Sequence, residues 1–224
     1  MTNDLAASRR AVVDAFLEQN RQMLAAAGGC TRLIFGLDAT ASREPTWDLA
    51  CQVQAEMFGE TAKSGLDMQL VFYRGTRECQ ASRWVSNPDA LANIMRQVEC
   101  QTGHTQIGRV FTHIRKENLR QKVHAFVFVG DAVEEIPADL YAAARDLSVP
   151  GFMFQEGDDP AVTRTFREIA HLTNGAHCSF TPGAARELSE LLRAVAAYAA
   201  GGREALLANK TAAAAKLLLQ LPPR

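Results

Sequence analysis

The stretch HAFVFVG, residues 124–130, is apolar over most of its length with no alternation of polar residues. A strand written this way has to be covered on both faces, which is the pattern of a sheet packed between two layers of helices. The rest of the chain agrees with that constraint. RLIFGL (32–37), MQLVFYR (68–74), GFMFQ (151–155) and AHCSF (176–180) read as further strands. Between them, apolar residues recur at helical spacing over 87–99, 107–120, 137–148, 160–173 and 184–200. REPTWDLACQVQAEMFGETAKSG predicts another helix from Glu44 to Lys63, with Pro45 in its first turn and Gly65 at its stop. CQASRWV (79–85), reached through the polar turn RGTRE, alternates and predicts an antiparallel partner for 68–74. Strands alternating with helices imply an α/β three-layer sandwich. Its sheet is expected to have six strands and a doubly wound order, mostly parallel with one antiparallel strand at an edge.

At 224 residues the chain is long enough for one ordinary domain with terminal additions. The predicted organisation is a helical extension over 1–30, the α/β domain over 31–200, and a second helical extension over 201–224. Lysine and arginine (24) nearly balance aspartate and glutamate (25), a net charge of −1, so electrostatics offers no case for nucleic acid or an anionic membrane as the main partner. No apolar run approaches the roughly 18 residues that span a bilayer, and the early acid and helical period of MTNDLAASRRAVVDAFLEQN do not read as a signal peptide. The five cysteines are odd in number and scattered, which predicts reduced, mostly buried thiols in a cytoplasmic protein.

In open α/β sheets, binding sites lie beyond the carboxyl ends of the strands. There the first strand runs into DATAS, placing Asp38, Thr40 and Ser42 at alternate positions, and the long central strand runs into Asp131. The loop TGHTQIG, before the helix at 107, adds the hydroxyls of Thr102 and Thr105. Two carboxylates with several hydroxyls suit a hard, oxygen-seeking cation, Mg²⁺ or Mn²⁺. The weak hydroxyl donors would leave such an ion able to accept an outside carboxylate.

D-x-T-x-S after an apolar strand resembles the D-x-S-x-S signature of the von Willebrand factor type A (VWA) domain, which opens that family's metal-ion-dependent adhesion site (MIDAS). Thr105 in GHTQIG and Asp131 in VFVGDAVEE resemble its two downstream members, and the order of elements over 31–200 is also similar. The resemblance implies a VWA, Rossmann-like fold and a metal site of Asp38, Thr40, Ser42, Thr105 and Asp131. It also implies a non-enzymatic protein-protein interaction module that grips an Asp or Glu carboxylate of a partner, here a bacterial cytoplasmic adaptor with the family's stress-associated members as the intracellular comparison. Thr40 stands where serine is commoner, and Gly130 precedes Asp131 where the family often has a glycine after it.

Each of these residues also has an ordinary reading. Asp38 and Thr105 can cap helices, and Thr40 and Ser42 can be turn residues. His104 reads as a solvated loop side chain, Glu134 and Glu135 as a solvated first turn, and RKENLRQK as a wet helix end. The other histidines have no ligand spacing, so zinc is not expected. The competing enzymatic reading is a haloacid-dehalogenase-like, Mg²⁺-dependent phosphatase with Asp38 as nucleophile. That mechanism wants a second acid at position 40, where this chain has threonine, and a late acidic pair, for which Asp158 and Asp159 are the candidates. No nucleophile elbow, phosphate loop or dinucleotide fingerprint occurs. Finally, residues 5–26 and 203–220 carry apolar stripes, the second with Leu206, Leu207, Leu217 and Leu218. They are expected to cover the domain opposite the metal site, or to join copies as a homo-oligomer through protruding leucines at 217–219 and 221.

Overall fold

The computed structural model describes residues 30–43, 65–182 and 184–223. The predicted helices at 5–26 and 44–63 lie outside the described residues. Strand β1 (Thr31–Asp38) leads into a 3₁₀ turn (Ala41–Arg43), and β2 (Leu66–Arg74) and β3 (Glu78–Ala81) form a hairpin. Then come α1 (Pro88–Arg96), α2 (Ile107–Arg120), β4 (Ala125–Gly130), α3 (Pro137–Arg145), β5 (Gly151–Glu156), α4 (Pro160–Leu172) and β6 (Ala176–Phe180). Helices α5 (Ala185–Ala208) and α6 (Ala212–Leu218) complete the chain.

The six strands lie in the order β3-β2-β1-β4-β5-β6, all parallel except the edge strand β3. Alternate residues of each strand feed two separate cores. On one face, Leu33, Phe35, Leu37, Val127 and Val129 meet α1, α5 and α6 through Leu91, Met95, Leu191, Val195 and Leu217. On the other, Ile34, Tyr73, Phe126 and Phe128 meet α2, α3 and α4 through Val110, Phe111, Leu140, Phe166 and Ile169. The expected three-layer sandwich is therefore the observed one, and each fully buried Phe or Leu contributes about 1.5–3 kcal/mol. Gly36 lets α2 approach β1: a Cβ there would stand 3.2 Å from both the Val110 and Phe128 side chains.

Away from the candidate site the structure departs from the sequence-based expectations in three places. The segment 203–221 is not one helix. Helix α5 kinks at Gly201–Gly202, where Gly202 takes φ +63°, and continues to Ala208; Thr211 then caps α6 by accepting from Ala214 N–H. This segment is part of the core, with Leu206, Leu217 and Leu221 buried, while Leu207 and Leu219 face solvent. The run RKENLRQK is not uniformly wet: Glu117 is buried, accepting from Trp84 Nε1 at 2.8 Å and from Arg120, with the Arg32 guanidinium over the Trp84 ring. The described cysteines are free thiols, but only Cys178 is buried; Cys79 and Cys100 are half-buried and Cys30 is exposed.

The outer edge of β6 is closed by one side chain from beyond α6. Gln220 accepts from His177 N–H at 2.9 Å and donates to its carbonyl at 2.7 Å, pairing with both backbone groups as a neighbouring strand would.

His177 itself is buried against Phe166 and Gln155. Burial, helped by the charge of Arg167, pushes its imidazole down to about 4 from an ordinary 6.5. As pH falls through 6.5 the unfolded chain takes up this proton while the folded chain stays neutral to about pH 4, so His177 costs stability across that window. Thermal melting between about pH 7.5 and 4 is expected to show a smaller acid-induced loss of Tm in His177→Gln than in the natural chain.

Candidate functional site

Asp38 is the last residue of β1 and is buried, on the same face of the strand as Ile34 and Gly36. Its register partner on β2 is Tyr73, itself fully buried and stacked on Phe128 with ring centroids 6.2 Å apart. Both carboxylate oxygens are held: Oδ1 accepts from Thr40 N–H at 2.8 Å and Oδ2 from the Tyr73 hydroxyl at 2.9 Å. Burial raises the Asp38 pKa above its ordinary value, the Thr40 and Tyr73 hydrogen bonds oppose the rise, and the charge of Asp131 adds to it.

The turn that follows is narrow. Thr40 Oγ1 and the exposed Ser42 hydroxyl lie 3.2 Å apart, and Arg43 N–H closes the turn on Thr40 O. A second loop runs beside it, with Ala39 accepting from Gln101 N–H. That loop is stitched to the β2–β3 turn by Gln106 and His104, both bonding Gly75 O. Gly103 passes so close that a Cβ would stand 2.0 Å from the same oxygen. Thr102 is exposed, whereas Thr105 is buried. The Thr105 hydroxyl accepts from Glu134 N–H at 2.9 Å, and its own N–H donates to Glu134 Oε2 at 2.8 Å. Glu135 accepts from Gly108 N–H in the first turn of α2. Glu134 is exposed, as expected, but Glu134 and Glu135 precede the helix that starts at Pro137 and act as clasps between the loop carrying Asp131 and the loop carrying Thr105. His104 is solvent-exposed, as expected, with Nδ1 3.2 Å from Glu134.

Leu37 pairs with Val129, so β1 and β4 are adjacent and in register, and a Cβ on Gly130 would lie 3.7 Å from the Asp38 Cβ. Asp131 follows directly, and its Oδ1 is buried with no hydrogen-bond partner. Gly130 pairs with Gln155 on β5, which sets Asp131 level with Glu156. Glu156 is buried and ion-paired to Arg43, whose guanidinium is itself buried and also feels the charges of Asp131 and Asp38.

The structure therefore brings Asp38, Thr40 and Ser42 into one hydrogen-bonded group beside Asp131, and ties Thr105 to the Asp131 loop through Glu134. Sequence reasoning missed Tyr73, Arg43 and Glu156, and read Glu134 only as a solvated residue. Arg43 lies one residue beyond the motif, and Glu156 ends a strand as Asp38 does, so strand-end charge was the available signal.

The donor set fits a hard divalent cation on three observations. Asp131 keeps a buried oxygen without a partner, each Asp38 oxygen retains a lone pair beyond its one bond, and three carboxylates face a single buried guanidinium. Among the described residues no group of three or more His, Cys, Asp or Glu side chains is arranged to hold a metal, so a cation here would depend on the hydroxyls. For the phosphatase reading, position 40 offers only a hydroxyl, and Asp159 is engaged as the cap of α4, accepting from Ala161 and Val162 N–H.

No family model and no curated protein matches the sequence. Solved structures do match in fold. The SpRpn10 VWA domain aligns over 69% of this chain and 89% of its own, with TM-score 0.55 and 12% identity. The vWF domain of the type V pili tip protein Mfa5 from Porphyromonas gingivalis aligns over 75% and 94%, with TM-score 0.56 and 10% identity. An aerotolerance-related membrane protein from Bacteroides fragilis aligns over 73% and 96%, with TM-score 0.56 and 14% identity. The described residues share the fold of these VWA domains. Among the described residues no helix is long and apolar enough to cross a membrane.

Tyr73→Phe removes one of the two donors to a buried carboxylate and leaves the ring stack in place. The expected cost is about 1–3 kcal/mol, read as a lower urea midpoint, and smaller in an Asp38→Asn background where the charge is gone.

Proposed function

We propose that this domain is a metal-dependent protein-interaction module whose site is built by Asp38, Thr40, Ser42, Thr105 and Asp131. The observation that carries the reading is the unpartnered, buried Oδ1 of Asp131 beside the held carboxylate of Asp38, at the open end of the hydroxyl-bearing turn. The likeness in fold to VWA domains, and to the vWF domain of a pilus tip protein, supports an interaction role. Thr40 and Ser42 present hydroxyls, Asp38 and Asp131 supply the negative charge, and Thr105 is steadied by Glu134. Mg²⁺ or Mn²⁺, when bound, supplies an electron-poor centre with room for an Asp or Glu carboxylate of a protein partner. In this reading the module is a bacterial cytoplasmic adaptor, with stress response as its setting, and it is not an enzyme. None of the five residues is a positioned base or nucleophile.

Isothermal titration with Mn²⁺ in the presence of acetate is expected to show binding that Asp38→Ala and Asp131→Ala each weaken by roughly tenfold or more. A pull-down from a bacterial lysate is expected to lose its specific partner when chelator is added. Mn²⁺ binding unchanged in both variants would overturn the metal site. Phosphatase activity abolished by Asp38→Asn would replace the interaction reading with the enzymatic one.

A further inference from the structure

Arg43 is the unusual charge in this region. An arginine is seldom fully buried without partners for its five donors. Arg43 is 1% exposed, and its Nε is buried with no hydrogen-bond partner. It is ion-paired to Glu156 at the end of β5, yet it also feels Asp131 and Asp38 at the ends of β4 and β1. Those three strands are neighbours in the sheet, with Leu37 level with Val129 and Gly130 level with Gln155. The guanidinium is therefore paired with Glu156 at the carboxyl edge and within electrostatic reach of both aspartates.

This placement bears on the metal site, and the inference rests on the metal-binding reading above. Without Arg43, three carboxylates at adjacent strand ends would repel one another in a poorly solvated setting. With it, the edge is held together before any metal arrives. A divalent cation entering beside Asp38 and Asp131 must then settle near a fixed positive charge that Coulomb repulsion opposes, and that repulsion is little screened where water is excluded. We propose that Arg43 is a resident cation of this site. It offsets part of the negative charge of the strand-end carboxylates in the metal-free chain and holds divalent-cation affinity down, with Glu156 as its direct ion-pair partner. A weakly held ion is one whose occupancy responds to an added carboxylate, because the incoming negative charge offsets the guanidinium.

The test is Mn²⁺ alone, followed by electron paramagnetic resonance of the free ion, with circular dichroism as the check on folding. Arg43→Met removes the charge with similar bulk, and Mn²⁺ affinity is expected to rise roughly tenfold or more. Arg43→Lys keeps the charge and loses the planar fork, and its affinity is expected to stay within about threefold of the natural chain. If Arg43→Met fails to fold with Glu156 left unpaired, the double variant Arg43→Met/Glu156→Gln carries the test, since exchanging a buried ion pair for neutral groups is often tolerated. It too is expected to bind more tightly than the natural chain, because the guanidinium charge that acts on both aspartates is gone. Mn²⁺ bound by the natural chain but no more tightly by the charge-free variants overturns the inference and leaves the metal reading standing. An Arg43→Lys variant that tightens binding as much as Arg43→Met overturns it in the same way. Absence of Mn²⁺ binding in the natural chain and in the charge-free variants removes the metal reading and this inference together. Binding only after Arg43 is replaced supports the resident cation in its strongest form.

Discussion

A single buried carboxylate organises the carboxyl edge of this sheet. Asp38 ends a strand enclosed on both faces, so its charge has to be met by the chain itself, and two donors meet it: a backbone N–H two residues on and a phenol from the next strand. The first bond forces the chain to turn immediately after β1, which aligns the hydroxyls of Thr40 and Ser42. The second fixes Tyr73, and through its stacking on Phe128 links the site to the core beneath α2 and α4. An amide side chain at position 38 would satisfy similar geometry with no charge to meet. The chain keeps a carboxyl group there although burial opposes its charged form.

The two loops that complete the edge are held by different means. The Asp38 turn is held by local bonds from Thr40 and Arg43 together with bonds from Tyr73 and Gln101, whereas the Thr105 and Asp131 loops are joined by Glu134 and Glu135 across about thirty residues of chain. Because Glu134 both accepts from and donates to Thr105, a shift of the Asp131 loop carries the threonine with it.

Strands and layers were legible in the sequence because the two-residue and near-four-residue periods report burial directly. HAFVFVG could only be a central strand, and CQASRWV, with alternating polar residues, only an edge. Asp38, Thr40 and Ser42 were legible because their spacing is local. Arg43 and Glu156 were not: their pairing joins residues 113 positions apart, and a charge at a strand end or just past a motif does not by itself report that the two meet. The burial of Glu117 was hidden for the same reason, since the Trp84 that shelters it comes from a distant part of the chain. The break at Asn209–Thr211 lay within an alanine- and leucine-rich run whose helix propensity masked it, although Thr211 is an ordinary cap.

The paired bonds of Gln220 to His177 have a consequence for how the molecule meets its own kind. Parallel sheets end in strands whose free amides can recruit any extended peptide, and two such ends would let copies chain together. Here one end is stoppered by a side chain that mimics a strand for the length of one residue, anchored by buried Leu217 and Leu221 on either side. The other end is the short, antiparallel β3, carrying Glu78 and Gln80 and bordered by the exposed turn before it. The sheet thus has a polarity of access. Recruitment at β6 would first require prising a folded tail from its seat, while β3 offers four residues and a polar rim, so neither end invites open-ended fibre growth.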